Sequence, residues 1–197
     1  MTKKVRVILI TDGDRVAQKV IEKLAYDLDL RCLSASAGNP TPISGKKIVD
    51  LLKTVPKDPV LVMFDDKGEP EKGEGELAME YVANHPDIEV LGAIAVASNT
   101  TDNYGAEVDV CISKEGSMVH VPIDKKGEER HSAFFEDDTI IKGDTVDVIN
   151  ELDIPVVIGI GDIGKMRRKD DICCGAPVTR RAIEEILKRN GIEYDKI

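Results

Sequence analysis

Four short, mostly apolar runs set the limits on this fold: Val5–Ile10, Pro59–Phe64, Glu89–Ala97 and Pro155–Ile160. A strand with one wet face alternates polar and apolar residues, whereas a strand buried on both faces does not. Helical spacing appears between the runs. Asp14 to Leu28 carries Val16, Val20, Ile21, Leu24 and Leu28 on one side. Ser44 is placed to cap a helix reaching about Val55, with Ile48, Leu51, Leu52 and Val55 on its apolar face. Gly75 to Asn84 repeats the pattern, and Ala176-Pro177 opens a last helix that stops at Gly191. Strands buried on both faces and separated by helices predict an α/β fold with a mostly parallel central sheet and helices on both faces. Leu30 to Ser34 is the expected second strand of that sheet.

The middle of the chain departs from this rhythm. Val108–Ile112 and Met118–Ile123 flank Lys114-Glu115-Gly116 and read as a β-hairpin. Asp124 to Asp138 reads as a polar surface segment, and Asp144–Leu152 as a short helix. The expected organisation is a single α/β domain over 1–197, with a less regular excursion over about 99–143.

Charge narrows the partners. Lys and Arg number 27 against 37 Asp and Glu, a net charge of −10. Such a surface repels phosphate backbones, which argues against nucleic acid, and it disfavours direct contact with an anionic membrane. No apolar run approaches the roughly 18 residues needed to span a bilayer, so no transmembrane segment is expected. The apolar stretch behind Met-Thr-Lys-Lys is too short for a signal peptide, and synthesis in the cytosol follows. Cys32, Cys111, Cys173 and Cys174 contain no CxxC spacing and are expected to be reduced thiols.

Two groups of residues are positioned for chemistry. The first run, Val5–Ile10, ends in Thr11-Asp12-Gly13-Asp14 and the second, Pro59–Phe64, in Asp65-Asp66. Parallel strands place such ends on one edge, where ligands bind in open α/β sheets. Asp12, Asp14, Asp65 and Asp66 are therefore candidates for holding calcium or magnesium, which relieves repulsion between clustered carboxylates. Asp14 also suits the N-cap of the first helix. The glycine-rich acidic stretch Asp65–Glu76 lacks the spacing of an EF-hand and reads equally well as a solvated loop.

The second group is Gly159-Ile-Gly161-Asp-Ile-Gly164-Lys165, followed by Met166, Arg167, Arg168 and Lys169. It satisfies GxGxxG, but no apolar periodicity follows to supply the helix on which a nucleotide phosphate would sit. With four cations in five residues on an acidic protein, Gly159, Gly161, Gly164, Lys165, Arg167 and Arg168 are instead candidates for contacting an anionic ligand or an acidic partner. No GxSxG occurs, and His85, His120 and His131 form no recognisable triad.

Several long stretches together resemble a known family. They are Val-Ile-Leu-Ile-Thr-Asp-Gly-Asp (7–14), Ser-Ala-Gly-Asn-Pro-Thr (36–41), Pro-Val-Leu-Val-Met-Phe-Asp-Asp (59–66), His-Pro-Asp-Ile-Glu-Val-Leu-Gly-Ala-Ile-Ala-Val-Ala-Ser (85–98), Gly-Ile-Gly-Asp-Ile-Gly-Lys-Met (159–166) and Pro-Val-Thr-Arg-Arg-Ala (177–182). The family is stage V sporulation protein AE of spore-forming Firmicutes, and residues 99–140 carry least of the likeness. The resemblance implies a non-enzymatic sporulation role, as the soluble component of machinery that moves dipicolinic acid with calcium into the forming spore and out at germination. It implies a cytoplasmic location in the forespore, peripheral to the spore inner membrane through other stage V sporulation proteins, some of them membrane components. Dipicolinate itself is a candidate ligand, and no catalytic residue is carried over. Two other classes remain open. One is a toprim-like or other magnesium-dependent phosphotransfer enzyme using the strand-end carboxylates, although Asp12 stands where a toprim domain has glutamate. The other is an interaction scaffold.

Overall fold

A computed structural model describes residues 3–66, 72–98, 104–130 and 139–194. Seven strands build the main sheet: β1 (Val5–Ile10), β2 (Arg31–Cys32), β3 (Val60–Met63), β4 (Ile88–Val96), β6 (Val110–Ile112), β7 (Met118–Val119) and β9 (Val157–Ile160). Their order across the sheet is β2-β3-β1-β4-β9-β6-β7. All pairings in it are parallel except β6 with β7. The α/β class, the mostly parallel sheet and the hairpin expected from sequence are thus present. The hairpin is not set apart, however, because β6 lies parallel to β9 and extends the main sheet. A second, two-stranded antiparallel sheet pairs β5 (Ala106–Glu107) with β8 (Ile140–Ile141).

Alternation along each central strand divides the core into two layers. Ile8, Ile10, Leu61, Met63, Ile94 and Ile158 face helices α1 (Arg15–Asp27) and α4 (Pro177–Arg189). Val7, Leu9, Val60, Val62, Phe64 and Ala93 face α2 (Gly45–Leu52) and α3 (Glu74–Ala83). This double burial explains why the strands carry apolar residues at successive positions. Two expected elements are shorter or different in kind. The second strand is two residues long because it pairs only through Arg31 and Cys32 at the sheet edge, after which Ser34–Ser36 turn as a 3₁₀ segment. The short helix expected over 144–152 is a 3₁₀ turn at Asp147–Glu151. Parts of three expectations lie outside the described residues: 67–71 of the acidic stretch, 99–103 of the excursion, and 131–138, which include His131.

The topology opens one edge of the sheet. After β1 the chain leaves toward the α1 layer, and after β3 toward the α3 layer. Adjacent strands whose continuations diverge in this way mark the usual ligand crevice of an open α/β sheet. Asp12, Gly13 and Asp65 stand at that point.

Candidate functional site

The structure sorts the four strand-end aspartates into two kinds. Asp14 is the N-cap of α1: its Oδ1 accepts from the N–H groups of Val16 (2.7 Å) and Ala17 (2.9 Å). Asp66 does the same work for α3 from nine residues away, accepting from Gly75 N–H at 2.7 Å and Glu76 N–H at 3.0 Å. Its own N–H donates to Thr145 Oγ1 at 3.1 Å. These two carboxylates satisfy helix N-termini, where backbone donors otherwise go unpaired.

Asp12 and Asp65 cap no helix. They are 7% and 6% exposed, on the ends of neighbouring parallel strands. Asp12 Oδ1 accepts from Asp14 N–H at 3.2 Å, and Asp65 Oδ2 accepts from Gly13 N–H at 3.1 Å. Gly13 is required here, since a Cβ would come within 2.9 Å of Gly38 O and 3.2 Å of Asp65 Cβ. The loop after β2 closes the other side: Thr41 Oγ1 accepts from Asp65 N–H at 2.9 Å, and Ser36 Oγ accepts from Met63 N–H at 3.0 Å. Burial, reinforced by the Asp14, Asp65 and Asp162 carboxylates, pushes Asp12 up to about 8. Burial, with Asp144 and Asp14, pushes Asp65 up to about 7. Among the described residues, no three His, Cys, Asp or Glu side chains are grouped to hold a metal ion.

The cation of this edge is Lys165. Its Nζ lies 3.0 Å from Asp14 Oδ2 and 2.9 Å from Asp162 Oδ1. Since β4 lies between β1 and β9, Lys165 ties the loops of β1 and β9 together across the end of β4. Burial works against its charge, but the bonds to Asp162 and Asp14 prevail and raise its pKa. On the other side, burial alone would raise Asp14, but bonds from Ala17 N–H and Lys165 outweigh it and hold the carboxyl below the usual range.

The rest of the glycine-rich group is packed by the protein itself. A Cβ on Gly159 would strike Ile141 and Cys111, and one on Gly161 would strike Gly127 and Lys125. Gly164, at φ +71°, lies against Val16 and Val20 of α1. Beyond Lys165 the backbone makes a left-handed turn: Met166, Arg167 and Arg168 have φ of 39°, 54° and 69°. An L-residue in that region costs roughly 1–2 kcal/mol. Arg167 meets Glu128 at 3.2 Å and Lys169 meets Glu115 at 3.0 Å. Arg168 is exposed, and its charge attracts the Asp171 carboxylate without a close ion pair among the described residues. Thus the structure places Lys165 in an internal bridge and turns Arg167 and Arg168 outward.

One buried aspartate escaped sequence reasoning. Asp170, fully buried, accepts from Gly164 N–H, from Val178 and Thr179 N–H and from Thr179 Oγ1. Its one signal was its place, the first of the adjacent pair Asp170 and Asp171, shortly before a helix opening on Pro177.

A family model described as stage V sporulation protein AE1 matches residues 6–190, nearly the whole chain and every element of the main sheet except the first residue of β1. The chain belongs to the stage V sporulation protein AE1 family. It is accordingly a sporulation-related protein. No curated protein and no solved structure matches it. The two edge groups just described, Asp12–Asp66 and Gly159–Lys169, both fall inside the matched span. No helix among the described residues is long and apolar enough to cross a membrane.

Proposed function

We propose that this family member is a non-enzymatic component of the machinery that moves dipicolinic acid, with calcium, into the developing spore and out again at germination. It works in the forespore beside other stage V sporulation proteins, and it reaches the inner membrane through membrane-embedded partners rather than by its own insertion. The family membership supports the setting. The observation that carries the non-enzymatic reading is how the edge residues are employed. Asp14 and Asp66 bond helix N-termini, and Asp14 is also bridged by Lys165, so two of the four carboxylates a strand-end catalyst would use serve the fold. Deleting the gene is expected to alter the dipicolinate content of spores, or the rate of its release, while vegetative growth stays normal. A vegetative defect with unaltered dipicolinate handling would overturn the proposal.

The contact surface in this reading is the outward part of the basic turn. Arg167 and Arg168 offer guanidinium groups suited to carboxylates, on a chain of net charge −10. An Arg167→Glu, Arg168→Glu double variant is expected to fold normally and to lose recovery with membranes from sporulating cells by about tenfold, which corresponds to about 1.4 kcal/mol. Equal recovery would make the turn a solvated loop.

The buried pair Asp12 and Asp65 favours a second reading, magnesium-dependent phosphotransfer. Under that reading, millimolar magnesium or calcium raises the melting temperature of the wild type, and Asp65→Asn abolishes the rise. No shift at millimolar metal leaves the pair a structural feature and the first reading in place.

A further inference from the structure

The turn between β9 and α4 combines a costly backbone with restraints of unequal strength. Met166, Arg167 and Arg168 all stand in the left-handed region, and none is a glycine. Such strain persists only where the surroundings impose it. Met166 is buried, with its side chain under Gly127 and Gly161. On the far side, buried Asp170 holds Gly164 and the first turn of α4. On the near side, Lys165 holds Asp14 at 3.0 Å and Asp162 at 2.9 Å. The outer pairs, Arg167 to Glu128 and Lys169 to Glu115, are exposed, and pairs of that kind are weak and screened by salt. Arg168 occupies the most positive φ of the three, and its exposed side chain makes no close ion pair among the described residues, only a longer-range attraction to Asp171.

We propose that residues 162–169 form a strained latch, kept shut by the Lys165 bridge to Asp14 and Asp162, whose release relaxes the left-handed turn and swings Arg167, Arg168 and Lys169 away from Glu128 and Glu115. A partner rich in carboxylates opens it by ion-pair exchange. Arg168 makes the first contact, and Lys165 then trades internal aspartates for external ones. This rests on the reading of the turn as a partner contact, but the latch is measured without any partner, so the two fail separately.

Hydrogen exchange on the intact chain tests it. The amides of Arg168 and Lys169 report closure, since they donate to Lys165 O at 2.7 Å and Met166 O at 3.1 Å. Lys165→Gln is expected to speed their exchange by about fivefold or more, as the loss of two ion pairs on one exposed ammonium implies. Arg168→Gly is expected to slow it by about threefold or more, because glycine enters the left-handed region freely. The double variant should return toward wild type. An ordinary loop does the opposite, since glycine adds freedom and opens it. Faster exchange in Arg168→Gly, in either background, overturns the latch, as does unchanged exchange in Lys165→Gln. Should Lys165→Gln fail to fold, the sign of the Arg168→Gly effect alone decides.

Discussion

Asp12→Asn is expected to raise the melting temperature at pH 9 by on the order of 10 °C and to change it little at pH 5. Asp12 in the folded chain titrates near 8 instead of 3.8, chiefly because it is buried, with Asp14, Asp65 and Asp162 adding repulsion. Asp65 titrates near 7 for a similar reason. Between about pH 4 and pH 8 the folded state therefore binds more protons than the unfolded state. The free energy of unfolding falls as pH rises through that window, because the stabilising protonated forms are lost as pH passes the folded values. A tenfold difference in proton affinity between the folded and unfolded chain is worth about 1.36 kcal/mol, and a gain of roughly 3 kcal/mol at pH 9 is a conservative share for Asp12. At roughly 2–4 °C per kcal/mol for a chain of this size, the change is easily read in a thermal melt. The wild type should melt progressively lower from pH 5 to pH 9, and Asp12→Asn should flatten that slope, with Asp65→Asn flattening it less. Asp14 has the opposite sign: its depressed value adds stability that is lost only as pH falls into the acid range. A wild-type melting temperature that is level from pH 5 to pH 9 would show that Asp12 and Asp65 are ionised and solvated in the folded protein.

The same two residues show how far the sequence could be read. Strands buried on both faces declare themselves as unbroken apolar runs, so β1, β3, β4 and β9 stand where Val5–Ile10, Pro59–Phe64, Glu89–Ala97 and Pro155–Ile160 predicted them. Their parallel arrangement then brings Asp12 and Asp65 to one edge with no further information. The helix-capping role of Asp14 is also local and was legible, because the residue immediately precedes the helix. Asp66 was not separable from Asp65 in the same way. The helix it caps starts at Glu74, across an intervening segment, and only the folded chain brings them together. The placement of β6 beside β9 is likewise a long-range pairing, from Val110 to Ile158, for which no local pattern exists. The left-handed turn defied prediction for a different reason. Glycine or asparagine normally advertises positive φ, whereas Met166, Arg167 and Arg168 are held there by tertiary restraints.

Removing Asp170 should cost the fold heavily. Helix α4 begins unusually, because Ala176 precedes it at φ 44° and has no side chain able to cap. The free N–H groups of its first turn need an acceptor, and Pro177 removes only one donor. Asp170 supplies the acceptor from seven residues before Pro177. Its Oδ1 takes Val178 N–H at 2.9 Å and Thr179 N–H at 3.0 Å, while Oδ2 takes Thr179 Oγ1 at 2.5 Å and Gly164 N–H at 3.0 Å. One carboxylate thus joins α4 to the turn that carries Lys165. Its complete burial means that no water replaces it without rearrangement. Asp170→Ala strands four donors in a buried place, and hydrogen bonds to a charged acceptor are individually worth about 1.5–3 kcal/mol. Allowing for relaxation, a loss of about 3–5 kcal/mol is expected, lowering the melting temperature by about 10–15 °C. Asp170→Asn should fall between, because one amide oxygen still accepts from the start of α4 while the NH₂ group confronts donors that Oδ2 had accepted. The variants should also differ in where they loosen. Exchange in Asp170→Ala should rise at Gly164 and through the first turn of α4 together, since a single side chain restrains both. Increased exchange confined to either one would mean that the two ends are held independently and that Asp170 is an ordinary cap.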